Sequence, residues 1–169
     1  MYKGPVRKKN RLENYDYSSN NCYFVTICTK NMICCLGNVV DDEMLLNTFG
    51  KIVQNQLLWL EKQYPYILVD EWVIMPNHVH AIITIDNSLV GNGRDRSLQV
   101  KIKSLPEIVG AFKTTSSKMI HEIGFYGFEW QKSFYDHIIR NEKSLEQIRN
   151  YILENPEKWD EGRNLPAGR

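Results

Sequence analysis

The stretch from Trp72 to Ile85, WVIMPNHVHAIITI, limits the possible folds more than any other part of the chain. Two apolar runs of strand character meet at Pro76-Asn77, a dipeptide suited to a turn, and so read as neighbouring strands. The second run opens with His78-Val79-His80. Side chains at i and i+2 of a strand share a face, so His78 and His80 stand side by side while Val79 turns to the other. Ala81 to Ile85 continues apolar and β-branched, which puts the pair on a rigid, buried element. Two imidazoles held this way form half of a divalent-metal site. Taken alone they also fit a structural pair satisfied by hydrogen bonds.

The rest of the chain supplies enough apolar surface to bury such a strand. With 169 residues, 43% hydrophobic and 24% charged, it lies in the ordinary range for one globular domain and far from disordered compositions. A net charge of +1 hides an uneven distribution: Lys3, Arg7, Lys8, Lys9 and Arg11 fall within the first twelve residues without an acid. Such an arm (1–19) suits a phosphate backbone, with Arg7, Lys8 and Lys9 as candidate contacts, or a solvated terminus. No signal peptide and no long apolar run is present, so a cytosolic protein without a membrane span is expected. Cys22, Cys28, Cys34 and Cys35 contain no C-x-x-C pair, which argues for buried reduced thiols rather than a zinc cluster.

Cys22 to Thr29 reads as a first buried strand, followed by a shorter apolar piece from Ile33 to Val40. Asp41 or Asp42 then predicts the cap of a helix to about Gln63, with a stripe of Leu45, Phe49, Ile52, Val53, Leu57 and Leu60. Residues 86–104, with Gly91 and Gly93, read as a flexible surface loop. A second helix is expected from Leu105 to Ile123, ended by Gly124, with Ile108, Val109, Phe112, Met119, Ile120 and Ile123 buried. Its polar interruption, Lys113-Thr114-Thr115-Ser116-Ser117-Lys118, offers hydroxyls and cations to phosphates or forms a solvent face. Phe125, Tyr126, Phe128 and Trp130 could stack on bases or anchor a loop in the core. Phe134 to Arg140 reads as a short strand, and Ser144-x-x-Gln147 as the capping box of a last helix with Leu145, Ile148 and Ile152 buried. Tyr151 and Asn155, four apart, then lie one turn above each other and can face one site. Residues 158–169 read as a tail. This order of elements is α+β, with an antiparallel sheet covered by helices mainly on one face.

Met75-Pro76-Asn77-His78-Val79-His80, together with Trp130 to Arg140 and Asn150-Tyr151-Ile152-Leu153-Glu154-Asn155-Pro156, resembles the HUH motif and following segments of the single-tyrosine HUH transposases. Within that group the likeness is to the REP-associated tyrosine transposases. It runs from the strand at Tyr23 to Thr29 through residue 157. The resemblance implies a ferredoxin-like or RNA-recognition-motif-like sheet with the histidines on a central strand. It implies Tyr151 as nucleophile and His78, His80 and Asn155 as ligands of Mg²⁺ or Mn²⁺. Such an ion offsets the weakness of a phenol, whose ordinary pKa is about 10. Tyr135 competes for the nucleophile's place but has Ile139, not an amide, one turn on.

The implied reaction is cleavage and rejoining of single-stranded DNA with a hairpin or repeat end, through a 5′-phosphotyrosine. The implied setting is the bacterial nucleoid, by a monomer or a homodimer. Lys113, Lys118, His137 and Arg140 join the basic arm as candidate DNA contacts. Two other functions suit the same residues: a non-cleaving nucleic-acid-binding regulator, and a metallohydrolase whose His pair activates water.

Overall fold

A computed structural model of the protein describes residues 12–90 and 101–159. Its framework is a four-stranded antiparallel sheet built from β1 (Asn21–Cys28), β4 (Ile67–Ile74), β5 (His78–Ile85) and β6 (Tyr135–Ile139), in the order β4-β5-β1-β6. Strand β5 is central and buried on both faces over almost its whole length, in keeping with the apolar residues that surround His78, His80 and Thr84. Met75, Pro76 and Asn77 join β4 to β5, closed by a hydrogen bond from the Met75 amide to the His78 carbonyl at 2.8 Å.

Helices α1 (Thr48–Gln63) and α2 (Leu105–Glu122) cover one face. There Val53, Leu57, Leu60, Ile108, Val109, Phe112 and Ile120 enclose Tyr23, Val25, Ile27, Val79, Ala81 and Ile83 in the main core. Among the described residues, the other face carries one helix, α3 (Glu142–Leu153), which rests on a small second core of Ile82, Ile139 and Ile152. The α+β sheet with helices mainly on one face is therefore the observed architecture.

Four local expectations change. Asp41 and Asp42 do not cap α1; with φ of 49° and 61° they form the tight turn of a hairpin between β2 (Gly37–Val40) and β3 (Glu43–Leu46). The left-handed pair matches the twist of the two strands, and short acidic or amide side chains adopt it most readily. Asn47 caps α1 instead, accepting from the Gly50 amide at 3.0 Å, so Leu45 sits on β3 and is exposed. Helix α3 begins two residues before Ser144, because the Asn141 side chain accepts from the Ser144 amide at 2.9 Å. On α2, Met119 and Ile123 are exposed rather than part of the buried stripe.

Parts of the presumed arm and tail are packed. Tyr17 is buried in the main core and its carbonyl accepts from the Leu105 amide; Trp159 lies against His78. Arg7, Lys8 and Lys9, the middle of the 86–104 loop and the tail beyond Trp159 lie outside the described residues. Cys28 is buried and Cys22 and Cys35 half-buried, but Cys34 is exposed; all four are free thiols. Among the described residues, no helix is long and apolar enough to cross a membrane.

Candidate active site

Strand register assembles the site. On the face shared with α3, His78 lies opposite Cys28 and His80 opposite Thr26, with Val73 on the other side of His80. Both histidines are almost fully buried, and their ring centroids are 4.5 Å apart. On each ring Nδ1 has a side-chain partner. His78 Nδ1 lies 2.7 Å from the Asn77 side-chain oxygen, and His80 Nδ1 lies 2.8 Å from the Thr26 hydroxyl.

Helix α3 brings the tyrosine. Ile152, the next residue, is buried in the second core, which turns Tyr151 towards β5. The Tyr151 hydroxyl lies 3.4 Å from His80 Nε2. Phe24 braces both rings, stacked on His80 at 5.2 Å and edge-on to Tyr151 at 6.0 Å. Asn155 follows the helix just past its cap at Glu154, with its side chain close enough to His78 to raise the pKa of that imidazole. The structure thus gathers Tyr151, His78, His80 and Asn155 in one place within one chain.

Burial pulls the His78 imidazole down to about 4, against the opposing effect of the Asn155 side chain. His80 is held well below its ordinary value by burial first and by His78 second. Both rings are therefore neutral near pH 7, the form in which imidazole binds metals. Neutral imidazoles and an amide oxygen suit a divalent ion with open positions. Among the described residues, no group of three His, Cys, Asp or Glu forms a conventional metal cluster. The amide of Asn155 is what would complete this one.

The remaining candidates lie elsewhere. Tyr135 sits on edge strand β6 opposite Thr26, on the histidine face, and is 40% exposed. Thr26 and its strand separate it from His80, and it makes no contact resembling that of Tyr151. His137, opposite Phe24, is exposed on the same face, and Arg140 is exposed just beyond β6. Lys113 ties α2 to the approach of β6, donating to the carbonyls of Gln131 at 2.8 Å and Ser133 at 3.0 Å. Lys118 is solvent-facing, 3.9 Å from Glu122.

Three of the four hydroxyls between these lysines bond back to their own helix: Thr114 to Gly110, Thr115 to Ala111 and Ser116 to Phe112. Their donors are spent, so they offer phosphates little. Phe128 and Trp130 anchor the core, while Tyr126 is exposed.

Three neighbours of the site were not singled out from sequence as functional. Thr26 becomes visible only through the β1–β5 register. Asn77 was read as a turn residue. Trp159, 6.0 Å from His78, closes that side with a buried indole N–H that has no partner among the described residues.

Comparison with known proteins places this geometry in a class. The chain is 36% identical over 164 residues to an uncharacterised protein of Haemophilus influenzae, covering 92% of this chain and 91% of that one. It is 25% identical over 114 residues to the REP-associated tyrosine transposase of Escherichia coli, covering 68% of this chain and 58% of the relative's length. A solved structure of a REP-associated tyrosine transposase bound to a REP hairpin superposes with a TM-score of 0.58 at 20% identity, covering 88% of this chain and 73% of the other. No family model matches the chain. The chain shares the α+β fold of that solved structure, with its tyrosine and histidines on the face of the sheet that carries α3. More narrowly, it belongs to one family with the Haemophilus influenzae protein, and over 68% of its length it is similar to the REP-associated tyrosine transposase of Escherichia coli.

Proposed function

We propose that this protein is a metal-dependent transposase or endonuclease that cuts and rejoins single-stranded DNA through Tyr151. The observation that carries the proposal is the placement of the Tyr151 hydroxyl 3.4 Å from His80 Nε2, beside His78 and its partner Asn155. His78, His80 and Asn155 would hold Mg²⁺ or Mn²⁺, which when bound makes a phosphodiester more electrophilic and offsets developing negative charge.

The chain's own residues do the rest. Phe24 and the second core hold the phenol at the edge of the site, so that its oxygen is presented rather than buried in the helix packing. The Tyr151 oxygen attacks phosphorus, the bond to the 3′-oxygen breaks, and the phenolic proton is lost to solvent while the leaving oxygen gains one. The 5′-phosphotyrosine retains the phosphodiester's energy, and attack by another 3′-hydroxyl reverses the step without ATP. Assembly of all four residues within one chain supports a site that is complete in a monomer, although exchange between two subunits uses the same contacts.

The exposed His137, Arg140 and Lys118, with Lys113 and the basic Arg7, Lys8 and Lys9, are the proposed contacts to DNA. By analogy with the hairpin-bound relative, the substrate is DNA with a hairpin or repeat end. Incubating the protein with such an oligonucleotide and Mn²⁺ should give a denaturation-resistant protein–DNA adduct that disappears in Tyr151→Phe. A shifted band without cleavage would point to a binding-only regulator. Cleavage that survives the substitution would point to water as the nucleophile.

A further inference from the structure

We infer that Asn77 and Thr26 are positioning residues that hold the ring protons of His78 and His80 on Nδ1, so that both Nε2 atoms are acceptors turned towards the site. Asn77 is 2% exposed, and its amide has only one orientation that satisfies its neighbours. The Nδ2 group donates to the Met32 carbonyl at 3.2 Å, which turns Oδ1 to His78 Nδ1 at 2.7 Å. Flipping the amide would set Oδ1 against a carbonyl oxygen, two acceptors face to face. An amide oxygen only accepts, so His78 Nδ1 carries the proton and Nε2 does not.

The Met32 carbonyl is itself placed by an unusual turn. Asn31 and Met32 adopt φ of 56° and 57°, conformations uncommon outside glycine. The Asn77 carbonyl accepts from both the amide and the hydroxyl of Thr29, at 2.9 and 3.0 Å, and the Pro76 carbonyl accepts from the Cys35 and Leu36 amides. The 29–36 segment therefore clamps the Pro76-Asn77 turn and aims its amide.

At His80 the Thr26 hydroxyl, 5% exposed as a residue, lies on Nδ1 and the Tyr151 hydroxyl on Nε2. A neutral imidazole donates through one nitrogen and accepts through the other. Either hydroxyl could donate, but the phenol, with its ordinary pKa of about 10, is the stronger donor. The assignment is therefore that Tyr151 donates to Nε2 and Nδ1 donates to Thr26. The proton on Nδ1 is then held by Thr26, across the strand pair and away from the chemistry. An acceptor on Nδ1 also raises the basicity of the other nitrogen, and loss of such a partner typically costs 10–100-fold in metal affinity. The consequence for metal binding rests on the proposed function; the tautomers do not.

The test uses the full-length, metal-free protein labelled with ¹⁵N-histidine. Long-range ¹H–¹⁵N spectra near pH 7 should show the Nδ1–H tautomer at both His78 and His80. An Nε2–H signal at either position overturns the inference, and no variant is needed to see it. Titration with Mn²⁺, followed by the paramagnetic resonance of the free ion, should show Asn77→Ala and Thr26→Val weakened by roughly 10–100-fold. Thr26→Ser should recover most of the loss, because it restores the hydroxyl. Affinity equal to the parent in a folded Asn77→Ala also overturns the inference. A parent that binds no Mn²⁺ but shows both Nδ1–H tautomers refutes the metal reading and leaves the tautomer assignment standing.

Discussion

Truncating Ile152 should detach the nucleophile without dissolving the sheet. Ile152 is 1% exposed and is the only fully buried residue of α3, packed on Ile82 and Ile139. An isolated helix of this length is marginal in water, so α3 depends on that contact for its position. Ile→Ala at a buried site costs about 2–5 kcal/mol, from lost transfer energy and the cavity left behind. The second core is separated from the main one by the sheet, so the loss falls on α3. At about 3 kcal/mol, within that range, protection of the α3 amides against hydrogen exchange should fall roughly 100-fold. The amides of β1 and β5 should change by less than about tenfold.

Adduct formation should fall with α3 protection, because Tyr151 then spends most of its time away from His80. Mn²⁺ binding should fall far less, since His78 and His80 belong to β5 and only Asn155 leaves with the helix. Native-state hydrogen exchange by mass spectrometry reads the first effect, and a denaturing gel reads the second. Uniform loss of protection across the sheet and α3, or unchanged adduct formation with a detached helix, would refute the argument.

Further expectations follow from individual contacts. Tyr151→Phe should raise Mn²⁺ affinity about fivefold while abolishing the adduct, because the phenol and the ion compete for one lone pair on His80 Nε2 and a net hydrogen bond is worth about 1 kcal/mol; titration of both proteins reads it. Arg149 donates twice to Asp70, through Nε at 3.0 Å and Nη2 at 2.7 Å, pinning α3 to β4 where the register between Val69 and Trp72 slips. Arg149→Ala should therefore lower the midpoint of denaturant melts slightly, and by less at high salt, because the pair is solvent-screened. Acid should weaken the metal-free fold through His78. Its pKa is about 4 folded against 6.5 unfolded, so the stability it contributes is complete above pH 6.5 and is lost as pH falls towards 4. That difference corresponds to about 3 kcal/mol, to be read by chemical denaturation across the window, and the slope should shrink in His78→Gln.

The histidine strand was legible because its signals agree: alternation puts His78 and His80 on one face, and the apolar continuation demands burial. Tyr151 and Asn155 were legible as helical neighbours, and the structure places both against the histidines. The hairpin at Asp41-Asp42 was not, since Asp before a helical stripe also looks like a cap, and left-handed backbone leaves little trace in residue type. Thr26 was invisible for a different reason: its role comes from pairing with a strand more than fifty residues away. The hydroxyls of α2 misled in the opposite direction. Their polarity invites phosphate, yet on a helix Thr and Ser satisfy themselves on the preceding turn.

The most direct measurement is the identity of the residue that carries DNA. The protein should be incubated with a hairpin-ended single strand and Mn²⁺, digested with protease and nuclease, and the nucleotide-bearing peptide sequenced by mass spectrometry. The account predicts a phosphoryl remnant on Tyr151 within Asn150–Pro156. A remnant on Tyr135, or cleaved DNA with no modified peptide, would contradict it.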